Sequence, residues 1–242
     1  MNQAPAPISF KGTCPICNES AGFESGDAWF RDHLFCLSCG SIPRERIFTW
    51  ALEIFQPQWR KLKIHESSPA DRAVSQRLTQ NCEHYIGSQY FQDVPRGKTR
   101  DGLRSEDLEA MTFADQSLDL HLHLDVMEHV NRPDKVLQEM CRTLRPGGLA
   151  IFTTPIYPDF AETQRKAIYF DDGVEHMAPP EYHGNPIDEG GGALVTFHFG
   201  RNFSSLMRAW EPNFAITHLI PNDPDIGAVG EFRDVFVLRR IE

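Results

Sequence analysis

Four of the six cysteines stand in two closely spaced pairs, and thiolates in this arrangement bind metal ions. The pairs are "CPIC" (Cys14 and Cys17) and "CLSC" (Cys36 and Cys39), with eighteen residues between them. Two such turns bring four sulfur atoms to the corners of one tetrahedron, which predicts a Zn²⁺ site. Four protein ligands leave no open coordination position, so the predicted site is structural. Two disulfides, four free thiols or a Cys₄ iron site are the alternatives.

Glutamate, tyrosine and histidine side chains gather in a second stretch, "VEHMAPPEYHGNPID". Tyr182 and His183 offer a base and hydrogen-bonding groups, which predicts a catalytic role on a polyhydroxylated substrate. A metal-ligand interpretation of "EHM" (His176) and "YHG" (His183) needs a third ligand that the sequence does not indicate. The alternative is a loop whose polar side chains are satisfied locally.

The segment around the cysteine pairs holds few apolar side chains. Within residues 10–40 they include Phe10, Phe23, Trp29, Phe30, Leu34 and Phe35. A core of this size does not offset the entropy of ordering the segment, so metal binding has to supply the difference. Cys82 and Cys141 stand alone and are predicted to be buried or half-buried thiols.

The stretch "SIPRERIFTWALEIF" predicts a helix directly after the cysteines. Ser41 is the predicted N-cap, and Pro43 is tolerated in the first turn. Arg44 and Arg46 near its start are candidates for an anion site. Paired or solvated surface charge is the alternative for both.

From Lys61 onward, strand patterns alternate with helix patterns. The predicted strands are "KLKIHES", "HYIGS", "SLDLHLHLDV", "LAIFTTP", "FAITHLI" and "DVFVLRR"; the predicted helices are "PADRAVSQRLTQ" (opened by Pro69), "RPDKVLQEMCRTL" and "NFSSLMRAW". Helices of about ten to fifteen residues between strands indicate βαβ units and a mainly parallel sheet. Ligands of such sheets bind at the carboxyl ends of the strands.

These patterns divide the chain into a zinc-ribbon module over residues 1–42, a connecting helix over 43–60 and an α/β domain over 61–242. Residues 155–192 interrupt the alternation with the run "EGGG" and with five prolines, which are Pro155, Pro158, Pro179, Pro180 and Pro186. We expect an irregular insertion there that acts as a lid or substrate loop.

Three further histidines lie in predicted strands. His121 and His123 share one face of "LHLHLD" and are expected to be packed and hydrogen-bonded beneath a helix, since a central parallel strand is covered on both faces. His198 in "VTFHFG" is assigned to strand packing, with the pocket as the alternative.

The segment "EDLEAMTFADQSLDLHLHLDVMEHVNRPDKVLQEMCRTLRPGGLAIFTTP", residues 106–155, resembles the second half of a class I S-adenosylmethionine-dependent methyltransferase. Its landmarks are an acid before "MTF", the "ADQSLDL" turn, "DVMEHV" and "LRPGG", in that order, and they match the subgroup that methylates small molecules and glycans. The resemblance implies a Rossmann-like α/β sheet flanked by helices, here preceded by the zinc-ribbon module, and S-adenosylmethionine as cofactor.

Carried onto this chain, the resemblance implies that Asp107 accepts a hydrogen bond from the adenine amino group, with Leu108 packed nearby. Asp125, at the end of the central strand, would face the methionine part of the cofactor and the reacting methyl group. His129, next to Glu128, is a candidate general base. Packing or orientation is the alternative role for His129.

One departure from the family concerns the turn after the first strand, where relatives carry an acid and a Gly-x-Gly turn. This chain has Glu66 at the acidic place, followed by Ser67, Ser68 and Pro69. A serine held at positive φ costs on the order of 1 kcal/mol. After the next strand, Gln89 stands where relatives place an acid for the ribose hydroxyls. We therefore expect cofactor binding to be kept but altered.

The charge balance bears on the partner. The chain has 24 Lys and Arg against 34 Asp and Glu, a formal net charge of −10, which argues against a nucleic-acid partner because phosphates bind positive surfaces. No apolar run reaches the length of a membrane span, and "MNQAPAPISFKG" lacks the layout of a signal peptide. We expect a cytoplasmic location.

Three functions remain open from the sequence. The first is a methyltransferase acting on a small-molecule or sugar-containing acceptor. The second is an RNA methyltransferase, because ribosomal RNA guanine methyltransferases also carry zinc ribbons; the acidic balance and the lack of an aromatic-basic stripe oppose it. The third is a non-catalytic binding protein, whose zinc module contacts a protein partner and whose glycine-free turn no longer holds the cofactor.

Overall fold

The computed structural model describes residues 7–185 and 188–242. Residues 1–6 of the predicted zinc-ribbon module, and residues 186 and 187 of the predicted insertion with its Pro186, lie outside the described residues. A search of the described helices finds none that combines the length and apolar character needed to cross a bilayer.

The N-terminal segment folds into a small antiparallel sheet around the cysteines. Its elements are β1 (Ile8–Thr13), β2 (Ser20–Ser25), the short helix α1 (Phe30–His33) and β3 (Phe35–Cys36). β2 lies between the other two strands. The buried side chains between them include Phe23 and Leu34, which pack beside Cys14 and Cys36.

The rest of the chain contains every predicted helix and strand, together with additional short strands. In chain order the elements are α2 (Pro43–Phe55), β4 (Ile64–Ser67), α3 (Ala73–Asn81), β5 (Tyr85–Gln89), β6 (Thr99–Arg100), β7 (Leu103–Ser105), β8 (Leu118–Leu124), α4 (Pro133–Thr143), β9 (Leu144–Thr153), β10 (Gln164–Arg165), β11 (Ala167–Phe170), β12 (Gly173–His176), β13 (Tyr182–Asn185), β14 (Asp188–Leu194), β15 (Phe197–His198), α5 (Phe203–Trp210), β16 (Phe214–Leu219) and β17 (Val235–Arg240), with 3₁₀ turns at Trp59–Lys61, Met127–His129 and Pro224–Ile226.

Within the described residues the main sheet has eight strands, in the order β16-β17-β9-β8-β4-β5-β7-β6. The five inner strands from β9 to β7 run parallel, and the outer strands β16, β17 and β6 pair antiparallel. The predicted α/β class with a mainly parallel sheet is therefore confirmed. The carboxyl ends of β4, β5 and β8 meet at one edge of this sheet, where ligands bind in such folds.

Helices cover both faces of the sheet. On one face α4 and α5 contribute buried side chains such as Leu137 and Phe203 to a core with Phe152 of β9. On the other face α2 and α3 contribute Phe48 and Leu78. Side chains of β8 and β9 therefore meet helices on either side, which explains why most residues of these strands are buried, the histidines of β8 included.

Two helices begin at residues other than those predicted. Ile42, not Ser41, is the N-cap of α2, and its backbone N–H donates to the Glu45 carboxylate over 2.9 Å. α3 begins at Ala73 rather than at Pro69. The helix starts late because the chain leaves β4 through a left-handed conformation at Ser68, with φ of 54°, and needs the intervening residues to turn back onto the sheet.

The prediction that residues 155–192 are irregular was wrong for the described part of that segment. β11 pairs with β12 and β13 with β14 as antiparallel hairpins, and β10 pairs with β15. Pro179 and Pro180 lie between two of these hairpins rather than inside a strand, so the prolines separate strands and do not prevent them.

The two histidines of β8 differ from each other. The rings of His121 and His65 share a hydrogen bond of 2.9 Å, and His121 also bonds the Thr143 hydroxyl at 2.7 Å, as expected for a buried polar side chain. The same expectation was wrong for His123: among the described residues neither of its ring nitrogens has a hydrogen-bond partner. Its ring stacks on Phe152 instead, with 4.6 Å between the centroids.

Candidate functional site

A cavity of about 1200 Å³ opens at the carboxyl ends of β4, β5 and β8. Its wall combines three parts of the chain: the strand ends, α1 with the first turn of α2, and the hairpins of the insertion. Nine of the ten residues predicted for cofactor binding or catalysis lie in this wall, namely Glu66, Ser67, Ser68, Gln89, Asp107, Leu108, Asp125, His129 and His183. Tyr182 is not among the described residues of the wall, and 55% of its surface is exposed.

Glu66 lies at the inner end of the cavity and is almost fully buried. Its carboxylate accepts hydrogen bonds from the hydroxyl of Ser75, at 2.7 Å, and from the hydroxyl of Tyr85, at 2.6 Å. Burial raises the pKa of Glu66 to about 7, although both hydrogen bonds oppose the shift. The carboxyl group is therefore held in place but disfavoured in its charged form.

The turn after Glu66 keeps the shape of a glycine turn without a glycine. Ser68 adopts the left-handed conformation and donates its N–H to the Ser88 carbonyl over 2.8 Å, which ties the turn to the end of β5. The N–H of Ala70 donates to the Ser75 hydroxyl. Serine pays a steric cost at this φ that glycine avoids, so the conformation is maintained by these contacts.

Asp107 occupies a turn at the cavity wall. Its Oδ1 accepts the backbone N–H of Glu109 over 2.9 Å, and its Oδ2 lies 3.8 Å from the Arg96 guanidinium. The first contact is that of an ordinary turn residue. The Asp107 side chain is half-buried beside the buried Leu108 and lines the cavity, and the turn contact occupies only one of its two carboxylate oxygens.

Asp125 is held by two arginines from the N-terminal part of the chain, in a left-handed conformation with φ of 51°. Its Oδ2 lies 2.7 Å from Arg31 and 3.3 Å from Arg44, and its Oδ1 accepts the Thr153 hydroxyl at 2.8 Å. Burial alone would raise the pKa of Asp125, but Arg31 and Arg44 outweigh it and hold the pKa below its usual value. Asp125 is therefore charged and joins the N-terminal segment to the end of β8.

These contacts were not expected from the sequence. The sequence did not indicate a role for Arg31, because its partner Asp125 lies 94 positions away along the chain. Arg44 was a candidate for an anion site or a surface charge, and it is a cavity-wall residue paired with Asp32 and Asp125. Arg46 was expected to be equivalent to Arg44, but it is fully buried beneath the N-terminal sheet.

A second group of polar side chains borders the cavity at the 3₁₀ turn Met127–His129. Glu128 is buried, and the Nε2 atom of His129 and the Nδ1 atom of His183 each lie 3.9 Å from its Oε1. Burial, with the charge of Asp125 as a smaller cause, raises the pKa of Glu128 to about 8. Burial lowers the pKa of His129 to about 4, so its imidazole is neutral at pH 7.

The four paired cysteines form one cluster. Their sulfur atoms all lie within 4.8 Å of one another, and those of Cys14 and Cys39 are 3.7 Å apart. Two sulfurs on one tetrahedral Zn²⁺ with bonds of about 2.3 Å stand about 3.8 Å apart. The sulfurs of the described chain are free rather than joined as disulfides, and the donor set fits the predicted metal.

Glu66 gives a prediction for stability against pH. Because its pKa is about 7 in the fold and 4.5 in the reference state, the protonated carboxyl stabilises the fold below pH 4.5, and this contribution is lost as the pH rises through 7. We expect Glu66→Gln to raise the free energy of unfolding by about 1–3 kcal/mol at pH 8 and by little at pH 4.

Urea unfolding at both pH values measures this difference. Glu83→Gln, at an exposed position, is the matched control and should change neither value. A Glu66→Gln effect that is the same at both pH values would contradict the assignment.

The chain is similar to known methyltransferases in sequence and in fold. A family model described as "Methyltransferase domain" matches residues 72–152, about a third of the chain. An uncharacterized methyltransferase of Mycolicibacterium gilvum (strain PYR-GCK) is 36% identical over 81 residues, which cover 31% of this chain and 31% of that protein. The chain thus matches about a third of the length of this relative.

Solved structures match over more of the chain. The S-adenosylmethionine-dependent methyltransferase from Mesorhizobium loti superposes with a TM-score of 0.51 at 17% identity, covering 80% of this chain and 98% of that one. CalS10 from Micromonospora echinaspora, an amino pentose methyltransferase involved in calicheamicin biosynthesis that was solved with S-adenosylmethionine bound, gives a TM-score of 0.51 at 12% identity, covering 83% and 92%. The protein therefore has the Rossmann-like α/β fold of the class I S-adenosylmethionine-dependent methyltransferases, with their sequence pattern over residues 72–152.

Proposed function

We propose that the protein is an S-adenosylmethionine-dependent methyltransferase that acts on a small-molecule or sugar-containing acceptor. The observation that carries this proposal is the cavity at the carboxyl ends of β4, β5 and β8, in whose wall the side chains assigned to the cofactor lie together. When bound, the cofactor supplies an electrophilic methyl group for in-line attack by the acceptor. The protein's share is to position the two reactants and to exclude water.

Each part of the cofactor has a candidate side chain in the cavity. Asp107 Oδ2 would accept from the adenine amino group, with Leu108 against the ring. Gln89 would bond the ribose hydroxyls without the charge that an acid supplies. Glu66 and the turn through Ser68 would lie against the ribose and the amino-acid end, where a small side chain leaves room for the ligand.

The charge of the cavity supports a small acceptor over RNA. Among the described residues of its wall, eight are acidic and three are arginines. Two of these arginines, Arg31 and Arg44, already face Asp125. A phosphate backbone needs a positive surface, so this wall favours neutral or cationic occupants. The likeness to an amino pentose methyltransferase supports a sugar-containing acceptor as one candidate class.

The N-terminal segment has a candidate role at the same cavity. We infer that Zn²⁺ on the four cysteines holds the segment folded, so that Arg31 can reach Asp125. A protein partner could still bind the outer side of this module, where Leu37 is exposed. The catalytic assignment of Tyr182 remains a prediction, and its exposed position supports contact with an acceptor rather than with the cofactor.

Calorimetric titration of the zinc-containing protein with S-adenosylmethionine and with S-adenosylhomocysteine tests the proposal. We expect micromolar binding of both ligands. Absence of binding at millimolar ligand would contradict it and favour the non-catalytic alternative.

Asp107→Asn gives the sharper test of the adenine assignment. The amide keeps an oxygen for the Glu109 N–H, so the turn is preserved, but it can turn a donor toward the adenine amino group. A hydrogen bond to a charged acceptor contributes about 1.5–3 kcal/mol, so we expect S-adenosylmethionine to bind about 10- to 100-fold more weakly. Asp159→Asn, at an exposed position, is the control, and an unchanged affinity in Asp107→Asn would remove the assignment.

A further inference from the structure

Glu128, His129 and His183 come together from two distant parts of the chain. Glu128 and His129 belong to the 3₁₀ turn after β8, and His183 belongs to the hairpin strand β13. One ligand atom from each side chain lies within 4.8 Å of the other two. His129 and His183 also lie in the cavity wall, so the group opens onto the proposed active site.

The carboxylate of Glu128 has an atom without a partner. Its Oε2 accepts the Thr154 hydroxyl over 2.9 Å, but Oε1 has no hydrogen-bond partner among the described residues, although the side chain is only 2% exposed. Protonation of Oε1 would make it a donor, and no described acceptor lies within hydrogen-bond distance. A cation bound at this position would satisfy the buried carboxylate atom.

The two imidazoles are oriented as metal ligands are. The Nδ1 atom of His129 lies 2.9 Å from the Leu194 carbonyl, to which it can only donate, so Nε2 carries the lone pair toward Glu128. The Nε2 atom of His183 lies 3.3 Å from the Glu181 carboxylate, which directs Nδ1 toward the same Oε1. Ligating histidines commonly use their second nitrogen in this way.

We propose that Glu128, His129 and His183 bind a divalent first-row transition-metal ion that keeps open coordination positions toward the cavity. Two imidazoles and one carboxylate suit Mn²⁺, Fe²⁺, Co²⁺ or Zn²⁺. The distances of 3.9 Å between Oε1 and each imidazole nitrogen can be bridged by bonds of about 2.0–2.2 Å. This site differs from the cysteine cluster in its ligands and in its open positions.

The metal site changes the roles of the two histidines. Their lone pairs would be directed at the ion, so neither would act as a general base. The open positions suit an oxygen of the acceptor, such as a hydroxyl group, and this last point rests on the proposed function. Metal binding itself does not depend on methyl transfer, so the two proposals can fail separately.

Titration of the zinc-containing protein with Mn²⁺, followed by electron paramagnetic resonance, tests the site. Mn²⁺ prefers nitrogen and oxygen ligands and does not displace zinc from thiolates. We expect one equivalent of bound Mn²⁺ per chain, with nitrogen couplings from imidazole in the pulsed spectrum, while zinc content stays constant. Failure to bind Mn²⁺ at 1:1 stoichiometry up to about millimolar concentration would overturn the proposal.

Two variants and one control assign the ligands. His183→Ala and Glu128→Gln should each weaken Mn²⁺ binding by at least about 100-fold. Glu128→Gln keeps the side-chain shape, so it separates ligation from folding, and the unfolding midpoint of each variant is measured alongside. His176→Ala, at an exposed position in the neighbouring hairpin, should bind like the wild type. Equal Mn²⁺ affinity in His183→Ala and His176→Ala would overturn the assignment.

Discussion

Replacing Cys36 by serine is expected to leave the protein without stoichiometric zinc and with an unfolded N-terminal segment. Cys36 is 2% exposed. Together with Cys14 it belongs to the small buried core of the N-terminal segment. Structural zinc sites contribute on the order of 10–16 kcal/mol at neutral pH, far more than the few apolar side chains of this core. Metal analysis and the far-ultraviolet circular dichroism of the variant measure the loss.

The effect of Cys36→Ser should reach the cavity. Arg31 lies in α1 between the two cysteine pairs, and its guanidinium holds Asp125 over 2.7 Å. Unfolding of this segment would remove one wall of the cavity, so the affinity for S-adenosylmethionine should fall by at least about 10-fold. Calorimetry on the soluble fraction of the variant tests this coupling.

Cys82→Ser is the matched control. The Cys82 thiol is buried away from the cluster and donates to the Leu62 carbonyl over 3.2 Å, a contact that a hydroxyl can reproduce. This variant should keep one zinc per chain and the wild-type affinity. A Cys36→Ser protein with one zinc per chain and an unchanged unfolding midpoint would exclude the Cys₄ site.

The sequence predicted those features that depend on short spacings. The cysteine pairs, the apolar strand β8 and helix α4 are encoded within about fifteen residues each, so periodicity and spacing were enough. The landmark segment around Asp107 and Asp125 was recognisable for the same reason. The structure brings both residues to one cavity, although their binding roles stay predictions.

Contacts between distant residues could not be predicted in this way. Arg31 pairs with Asp125, 94 positions further along the chain, and Glu128 lies beside His183, 55 positions further along. Neither contact produces a periodic pattern in the sequence. In the proposed metal site the partners of His183 ("YHG") are Glu128 and His129, which lie at such a distance along the chain, and His176 ("EHM") is not part of the group. His123 shows the converse: a polar residue type suggested hydrogen bonds, but packing on Phe152 decided its environment.

Backbone conformation was the other source of error. The late start of α3 depends on the left-handed Ser68, a conformation for which serine gives no signal. The hairpins of the insertion were hidden because prolines and glycines were interpreted as evidence against strands, whereas Pro179 and Pro180 lie between two hairpins and the run "EGGG" is part of β14 itself. Both errors concern the backbone conformation of short segments. That conformation depends on which hydrogen-bond partners are available in the neighbouring strands.

Arg46 explains how the N-terminal segment is fastened to the sheet. Its guanidinium is fully buried and donates to the carbonyls of Leu34 and Ser41 in that segment, and to the carbonyl of Gly227 over 2.8 Å. The group also lies over the Phe23 ring, 4.6 Å from its centroid. One side chain thus satisfies three carbonyls from both sides of the junction.

Arg46→Met should therefore be strongly destabilising. Methionine has a similar length and apolar stem but no donor, so the carbonyls of Leu34 and Gly227 would lose their partner, while that of Ser41 keeps the backbone N–H of Cys36. A buried carbonyl left without a partner costs about 1–3 kcal/mol, so two of them cost about 2–6 kcal/mol, which in a chain of this size lowers the unfolding midpoint by about 10 °C. Thermal unfolding followed by tryptophan fluorescence measures the shift.

Two further variants separate the hydrogen bonds from the loss of charge. Arg208→Met removes an exposed guanidinium from α5 and should leave the midpoint within about 2 °C of the wild type, since surface substitutions have small effects. Arg46→Lys keeps the positive charge but replaces the planar fork by a single ammonium, which cannot reach carbonyls on both sides of the junction. It should lose most of the stability that Arg46→Met loses. A wild-type midpoint in Arg46→Lys would mean that the charge alone, and not the three hydrogen bonds, holds the N-terminal segment to the sheet.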